Sequence, residues 1–162
     1  MDVADRVVLI TGASSGVGAA LATQFGQMGA RVVVNYSRSV EAAEAVVEQI
    51  TGAGGKALAV QADVSEEADC KRLVAATIEQ FGQLDVLVNN AGTTTFIPHD
   101  QLDALTEDIW LRTLRVNLVG AFMMSREAAL HIEAAGGGEI VMTSSIASVT
   151  ANGSSIAYCA SK

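Results

Sequence analysis

Tyr158 and Lys162 are four residues apart, in the segment Tyr-Cys-Ala-Ser-Lys. On a helix, this spacing places both side chains on the same face. A phenol is a weak acid with an ordinary pKa of about 10, and a nearby ammonium group favours its ionised form. The pair therefore predicts a general acid or base that works near neutral pH, although the same spacing by itself is common in ordinary helices.

A glycine-rich segment, Thr11 to Gly18 (TGASSGVG), follows an apolar run typical of a buried strand and precedes a helical pattern. Glycines at such a junction allow a tight turn and a close approach of the backbone to a pyrophosphate. The unpaired N–H groups and the dipole at the helix start favour an anion. The segment predicts a phosphate-binding loop, with an ordinary glycine turn as the alternative.

Three motifs in this sequence resemble those of the short-chain dehydrogenase/reductase family. They are the TGxxxGxG pattern of Thr11 to Gly18, the pair Asp63-Val64 and the segment Asn89-Asn90-Ala91-Gly92 (NNAG). The Tyr158 to Lys162 segment matches the family's YxxxK motif. The resemblance implies a Rossmann fold and a nicotinamide-dependent oxidoreductase that moves a hydride to or from a carbonyl carbon.

The resemblance extends to the family's Asn-Ser-Tyr-Lys tetrad, whose spacing is similar to that of Asn117, Ser145, Tyr158 and Lys162. It implies that Tyr158 exchanges the proton of the carbonyl oxygen, that Ser145 hydrogen-bonds this oxygen, and that Lys162 holds the nicotinamide ribose. Asn117 would anchor a water on the proton path. Ser144 remains the alternative to Ser145, and a buried helix asparagine at a local kink remains the alternative for Asn117.

The residues expected to contact the cofactor follow from the same resemblance. They are Gly12, Ser14, Ser15, Gly16, Val17, Gly18, Ser37, Arg38, Asp63, Val64, Asn90, Ala91, Gly92, Tyr158 and Lys162.

The end of the second strand bears on the choice between NADP and NAD. Members that prefer NAD carry an acidic residue there, whereas this sequence has Tyr36-Ser37-Arg38. A guanidinium and a hydroxyl group at this place accommodate a 2′-phosphate, which favours NADP. Many NADP-using relatives also have a basic residue inside the glycine loop, where this sequence has Ser15, so NAD remains open.

The substrate is poorly specified by these residues. General similarity is greatest to 3-oxoacyl-acyl-carrier-protein reductases and to sugar or polyol dehydrogenases, so the substrate is expected to be a small-molecule carbonyl or alcohol such as a 3-oxoacyl thioester, a ketone or a sugar. The segment from Thr93 to Gln101 would form one wall of its site. The alternative function is a dinucleotide-binding fragment or regulatory module without turnover. A hydrolase is disfavoured because no GxSxG motif accompanies the serines and histidines.

These motifs require a scaffold of alternating strands and helices. Strands buried on both faces are expected at Arg6 to Ile10, Arg31 to Asn35, Lys56 to Gln61, Asp85 to Asn89 and Glu139 to Thr143. Val17, Leu21 and Phe25 form an apolar stripe on the first helix, as do Val40, Ala43, Val47 and Ile50 on the second. Gly52 and Gly82 are expected to end their helices, and a long helix runs from about Thr106 to Ala134.

The expected fold is therefore an α/β doubly wound parallel sheet of about five strands, in a single NAD(P)-binding Rossmann domain over residues 1–162. Family members have further C-terminal strands after YxxxK, so the domain is expected to be incomplete relative to the family. On that expectation the 162-residue chain binds dinucleotide weakly, turns over negligibly and self-associates through the edge at Glu139 to Thr143.

Composition narrows the partners and the compartment. The net charge of -8 and pI near 4.6 disfavour nucleic acid and anionic membranes as partners. Without a basic segment before an apolar stretch at the start, the cytoplasm is the expected compartment. Cys70 and Cys159 lack metal-ligand spacing and are expected to be free thiols, and no metal is expected. The resemblance also implies a homo-oligomer for the full-length family form.

Overall fold

In the computed structural model, which describes residues 3–162, the strands form one parallel sheet in the order β3-β2-β1-β4-β5. The strands are β1 (Val7–Ile10), β2 (Arg31–Tyr36), β3 (Lys56–Gln61), β4 (Val86–Asn89) and β5 (Glu139–Met142). Each lies where the sequence predicts it, with ends that differ by no more than one residue.

Helices connect the strands and follow the last one. They are α1 (Gly16–Gln27), α2 (Val40–Gly52), α3 (Glu67–Phe81), α4 (Glu107–Leu114), α5 (Ala121–Ala134), α6 (Ala147–Thr150) and α7 (Ile156–Ser161). A 3₁₀ turn (Leu102–Ala104) precedes α4, and a π-helical segment (Arg115–Gly120) joins α4 to α5. The predicted long helix is therefore present, with a π-helical segment in its middle.

The two faces of the sheet are covered by different helices. Val7 and Leu9 of β1 pack with residues of α3 and α5, whereas Val8 and Ile10 pack with residues of α1 and α2. This alternation follows from the two-residue repeat of a strand. The arrangement confirms the predicted doubly wound parallel fold.

The prediction that every strand is buried on both faces is wrong for the two edge strands. In β3 a single residue, Val60, is buried. The four residues of β5 are exposed, with Val141 46% and Met142 54% exposed. For β5 the reason is its place at the edge of the sheet, where β4 is its neighbour on one side. Its apolar side chains lack the second layer of helix that covers β1.

Helix α1 packs through small residues and through two of the three residues of the predicted stripe, Leu21 and Phe25. Val17 is 63% exposed, while Gly18, Ala22 and Gly26 are buried. A Cβ atom on Gly26 would lie 2.6 Å from Cγ2 of Ile50. Close approach of α1 to α2 therefore requires glycine. The predicted stripe is confirmed for Leu21 and Phe25 and is wrong for Val17.

The two predicted helix ends have different outcomes. Gly82 follows α3 in the left-handed conformation with φ of 77°, as expected for a helix-ending glycine. Helix α2 ends at Gly52, as predicted, but this residue is still helical. Ala53 follows it, and Gly54 takes the left-handed conformation with φ of 87°.

Cys70 and Cys159 are both free thiols, as predicted. Cys70 is fully buried, and burial together with nearby carboxylates raises its pKa to about 11. Its thiol is therefore a packing group rather than a reactive one. Among the helices of residues 3–162, we find none with the length and apolar character needed to span a membrane.

Candidate active site

A cleft of about 530 Å³ opens at the carboxyl ends of the strands. This edge is where open α/β sheets bind ligands. The cleft is lined by Gly12, Ser14, Ser15, Asn35, Tyr36, Ser37, Arg38, Ala62, Asp63, Val64, Ser65, Asn90, Ala91, Gly92, Thr93, Arg112, Arg115 and Val116.

Most of the residues expected to contact the cofactor line this cleft. Those that do not are Gly16, Val17, Gly18, Tyr158 and Lys162. Gly18 is buried beneath the loop, and Val17 points to solvent. Tyr158 and Lys162 belong to the C-terminal end of the chain, on and after α7, beyond the cleft lining.

The glycine loop is shaped by backbone conformation and by contact with the end of β4. Gly12 and Gly16 have φ of 62° and 55°, values that side chains disfavour. A Cβ atom on Gly12 would lie 2.9 Å from Cα of Ala91, and one on Gly18 would lie 2.6 Å from Nδ2 of Asn90. The loop therefore needs glycine for its turn and its packing, and it leaves backbone facing the cleft. These features fit a pyrophosphate at the start of α1.

Thr11 and Asn90 join the ends of β1 and β4. The Thr11 hydroxyl accepts hydrogen bonds from the backbone N–H groups of Asn90 and Ala91, both at 3.0 Å. The Asn90 amide in turn donates to the Thr11 and Gly12 carbonyl groups at 3.0 and 3.1 Å. This role of Thr11 was not predicted from the sequence, where the available signal was a hydroxyl at the end of an apolar strand.

Asn35 is a second residue that sequence analysis missed. It is 2% exposed within the valine-rich β2. Its side-chain oxygen accepts from the Gly12 N–H at 3.1 Å, and its amide donates to the Ala62 carbonyl at 3.0 Å. Asn35 therefore links the glycine loop to the end of β3, and a lone asparagine in a buried strand was the available signal.

The residues after β2 and β3 form the opposite end of the cleft. Arg38 is exposed, and its guanidinium makes no hydrogen bond or ion pair with any residue from 3 to 162. Asp63 accepts at Oδ1 from the backbone N–H and the hydroxyl of Ser65, at 2.9 and 2.6 Å. Arg38 and Asp63 therefore both line the cleft, the first without a protein partner among these residues and the second bonded within its own turn.

Asn117 lies in the π-helical segment and is 7% exposed. Its amide oxygen accepts from the Thr93 N–H at 2.7 Å. Its amide nitrogen donates to the Thr93 carbonyl at 2.9 Å and to the Ser161 hydroxyl at 2.8 Å. Asn117 therefore ties the loop after β4 to the helix that carries Tyr158.

Lys162 lies beside the same loop. Its Nζ atom donates to the Thr143 carbonyl at 2.9 Å, and burial lowers its pKa. A Cβ atom on Gly92 would lie 3.5 Å from Nζ of Lys162 and 3.5 Å from Oδ1 of Asn117. Gly92 therefore occupies the space between two members of the predicted tetrad.

Tyr158 is half-buried on α7, a helix that begins after Ser155, whose hydroxyl accepts from the Tyr158 N–H at 3.3 Å. Ser145 accepts at its hydroxyl from the Ala147 N–H at 3.2 Å. The Ser144 hydroxyl is directed differently and donates to the Lys162 carbonyl at 3.1 Å. The two candidate serines therefore have different partners.

The loop after β4 is also joined to the loop before α7. The Ile97 N–H donates to the Ser154 carbonyl at 2.7 Å, and the hydroxyls of Thr94 and Ser154 share a short hydrogen bond. Phe96 and Ile146 lie in this part of the chain with 76% and 72% of their surface exposed. The wall expected from Thr93 to Gln101 is thus attached to the segment that leads into Tyr158.

Arg112 and Arg115 are cleft residues that sequence analysis did not identify. They lie on one face with Val116, at three and four residues from Arg112. The available signal was their place five and two residues before Asn117 on the same predicted helix.

The sheet order and the cleft at its carboxyl edge define a Rossmann-type α/β protein. The short chain dehydrogenase family model matches residues 6–162. The chain therefore belongs to the short-chain dehydrogenase/reductase family.

Relatives share this similarity over most of the chain. A Streptomyces violaceoruber protein named as a ketoacyl reductase of the granaticin polyketide synthase is 46% identical, over 96% of this chain and 61% of its own length. Versicolorin reductase 1 of Aspergillus parasiticus is 46% identical, over 86% of this chain and 52% of its own length. The chain thus spans between half and two thirds of the length of these relatives.

Solved structures show the same fold. A short-chain dehydrogenase/reductase from Burkholderia xenovorans matches with a TM-score of 0.94 and 36% identity, over 98% of this chain and 66% of the other. A variant of the Serratia marcescens short-chain dehydrogenase/reductase matches with a TM-score of 0.89 and 36% identity, over all of this chain and 64% of the other.

Proposed function

We propose that this chain carries the dinucleotide site and the catalytic residues of an NADP-dependent oxidoreductase that acts on a carbonyl or secondary alcohol. The observation that carries the proposal is the bonding of Asn117 to Thr93 and Ser161. This bonding brings the cleft, the loop after β4 and the helix of Tyr158 together. A single Rossmann domain over residues 1–162 is part of the proposal.

When bound, the nicotinamide supplies or accepts the hydride at the carbonyl carbon. Tyr158 donates a proton to the carbonyl oxygen in reduction and removes it in oxidation. Ser145 donates a hydrogen bond to this oxygen as negative charge develops. Its hydroxyl hydrogen is available, since the hydrogen bond from Ala147 uses its oxygen as an acceptor.

Lys162 and Asn117 position the proton donor and its surroundings. The Lys162 ammonium group would hold the nicotinamide ribose. Asn117 anchors a water on the proton path from Lys162. The close packing of both groups around Gly92 supports a shared role, because a larger residue at that position would contact both side chains.

NADP is the proposed cofactor and NAD the alternative. Support comes from Arg38, whose guanidinium lines the cleft without a partner among residues 3–162, and from the hydroxyl of Ser37 beside it. We expect Arg38→Gln to weaken NADPH binding by about 1.5–3 kcal/mol and to change NADH binding little. Fluorescence titrations with both cofactors measure this, and equal losses would show that Arg38 does not bind the 2′-phosphate.

The proposed substrate is a ketone of the polyketide or 3-oxoacyl type, with a sugar as the alternative. The names of the ketoacyl reductase and versicolorin reductase relatives support the first. The exposed Phe96 and Ile146 near the predicted tetrad also favour an apolar or aromatic substrate over a sugar.

Assembly into a homo-oligomer is a further part of the proposal. Leu111, Leu118 and Phe122 lie along one face of the α4–α5 helix with more than half of their surface exposed. Such an apolar stripe on a helix is typical of an interface. Light scattering measures the oligomeric state.

Titration with NADPH and NADH, followed by turnover measurements with Tyr158→Phe, tests the proposed function. We expect the wild-type chain to bind NADPH. In a protein with measurable turnover, Tyr158→Phe should lose most of that turnover while NADPH affinity stays near its original value. Retained turnover in Tyr158→Phe would contradict the role of Tyr158, and no dinucleotide binding would contradict the proposal as a whole.

A further inference from the structure

Arg112 is a cleft residue whose charge has no protein partner. It lies on α4, is exposed, and lines the cleft. Its guanidinium makes no hydrogen bond or ion pair with any residue between 3 and 162. An arginine presents several donors in a rigid fork that matches the oxygens of a phosphate. Arg112 is thus free to bind an anionic group that enters the cleft.

Arg115 shows which end of the cleft this helix face approaches. Its Nε atom donates to the Ser65 carbonyl at 3.0 Å, and its guanidinium lies 3.9 Å from the Glu66 carboxylate. Arg112 precedes it by three residues on the same face of the helix. This face therefore lies against the segment after β3, which contains Asp63, and not against the glycine loop.

The charges of the cleft are unusual for this chain. Three of the ten lysines and arginines, Arg38, Arg112 and Arg115, line it, although the net charge of the chain is -8. Asp63 is the one carboxylate among the lining residues in the described part of the chain, and Ser65 already donates to it twice. Arg112 and Arg115 are three residues apart on one helix, a spacing at which like charges repel, and a bound anion would reduce this repulsion.

We propose that Arg112 binds the 2′-phosphate of the cofactor together with Arg38 and so helps to select NADP over NAD. The inference rests on the proposed function. Arg38 follows β2, Arg112 lies on α4, and both line the cleft, so these two guanidinium groups would hold the phosphorylated ribose from two elements. The backbone N–H groups of the glycine loop, at the start of α1, would hold the pyrophosphate.

The test measures binding by the chain, so it does not depend on turnover. NADPH and NADH are titrated by fluorescence into wild type, Arg112→Gln and Arg126→Gln. Arg126 is a matched control, because it is an exposed arginine bonded to Glu67 and Glu127 outside the cleft. We expect Arg112→Gln to weaken NADPH by about tenfold to a hundredfold and NADH by less than about twofold. Arg126→Gln should change neither affinity by more than about twofold.

Competition with adenosine nucleotides that lack the nicotinamide tests the role of Arg112 a second time. Adenosine 2′,5′-bisphosphate should lose affinity for Arg112→Gln, while adenosine 5′-diphosphate should not. Arg112→Lys should recover part of the loss, since it restores the charge without the fork. Equal weakening of NADPH and NADH, or of the two fragments, would overturn the inference in favour of a contact to the pyrophosphate.

A double-mutant cycle with Arg38→Gln tests whether both arginines hold one phosphate. Two groups that bind the same anion give losses that are not additive, and additive losses would overturn the shared site. Unchanged NADPH binding in Arg112→Gln would refute the role of Arg112 and leave the proposed function standing. A wild-type chain that binds neither dinucleotide would instead refute the proposed function.

Discussion

The Asn117 side chain hydrogen-bonds both backbone groups of Thr93. It accepts from the Thr93 N–H at 2.7 Å and donates to the Thr93 carbonyl at 2.9 Å. This pair of bonds closes the π-helical segment onto the loop after β4. The side chain is 7% exposed, so water is poorly placed to replace it. Thr93 is thereby fixed next to Gly92, between the cleft and Lys162.

Replacing Asn117 is expected to destabilise the fold as well as the site. Asn117→Ala leaves both backbone groups of Thr93 without a partner, which costs roughly 1–3 kcal/mol of unfolding free energy. Urea denaturation measures this. Asn152→Ala, at an exposed position before α7, serves as the control and should be neutral. A variant Asn117→Ala as stable as the control would show that these bonds contribute nothing.

Gly18 is expected to tolerate no side chain, because a Cβ atom there would lie 2.6 Å from the Asn90 amide. Gly18→Ala should displace Asn90 from the Thr11 and Gly12 carbonyls, destabilise the chain by about 1–3 kcal/mol and weaken NADPH binding.

The matched control for Gly18 is Gly52→Ala at the end of α2. A Cβ atom on Gly52 would have no neighbour within 4 Å. This variant should be neutral or up to about 1 kcal/mol more stable, since alanine has the higher helix propensity. Thermal unfolding and NADPH titration of both variants measure the contrast. Equal effects at the two positions would argue against close packing between Gly18 and Asn90.

Because of Asp85, we expect the folded chain to lose stability in acid. It is fully buried, and burial alone would raise its pKa. Hydrogen bonds from the Val7 N–H, Gln83 and Arg6, all at 2.7 Å, outweigh burial and hold the pKa of Asp85 below its ordinary value. A carboxylate whose pKa is lower in the folded state stabilises the fold. This stabilisation is complete above the ordinary pKa of about 4 and is lost as the pH falls through the pKa of the folded state.

The variant Asp85→Asn tests this dependence. At neutral pH it should be less stable than wild type by about 1–3 kcal/mol, because the buried hydrogen bonds to a charged acceptor are weakened. The difference should shrink as the pH falls below about 4. Urea denaturation between pH 7 and 3 measures it, with Asp103→Asn as a control on an exposed carboxylate. A difference that stays constant over this range would contradict the assignment.

Ser145 and Ser144 are distinguished by their partners, and their variants should differ accordingly. Ser145→Ala should reduce carbonyl reduction by about a hundredfold or more, since it removes a donor to the developing oxyanion. Ser144→Ala removes a bond to the Lys162 carbonyl and should reduce turnover less. Steady-state kinetics at saturating NADPH, in a protein with measurable turnover, compares the two variants. The opposite order would assign the oxyanion contact to Ser144.

The sequence determined the parts of this protein that depend on local chemistry. The β-branched runs predicted the five strands, and their alternation with helices predicted a parallel sheet with both faces covered. The glycine loop was also predictable, because Gly12 and Gly16 adopt positive φ and glycine is the residue type that adopts such values readily. The roles of Ser145 and Tyr158 were expectations from family resemblance and remain proposals.

Only the tertiary structure decided which faces and groups meet. Val17 was expected to be buried but is exposed, because α1 packs through glycine, where backbone approach replaces side-chain area. The bonds of Asn117 to Thr93 and Ser161 join residues 24 and 44 positions apart. Arg112 reaches the cleft because Arg115 and Ser65 hold α4 against the segment after β3. These relations depend on the rotation of one helix against distant loops, which local propensity and motif spacing do not encode.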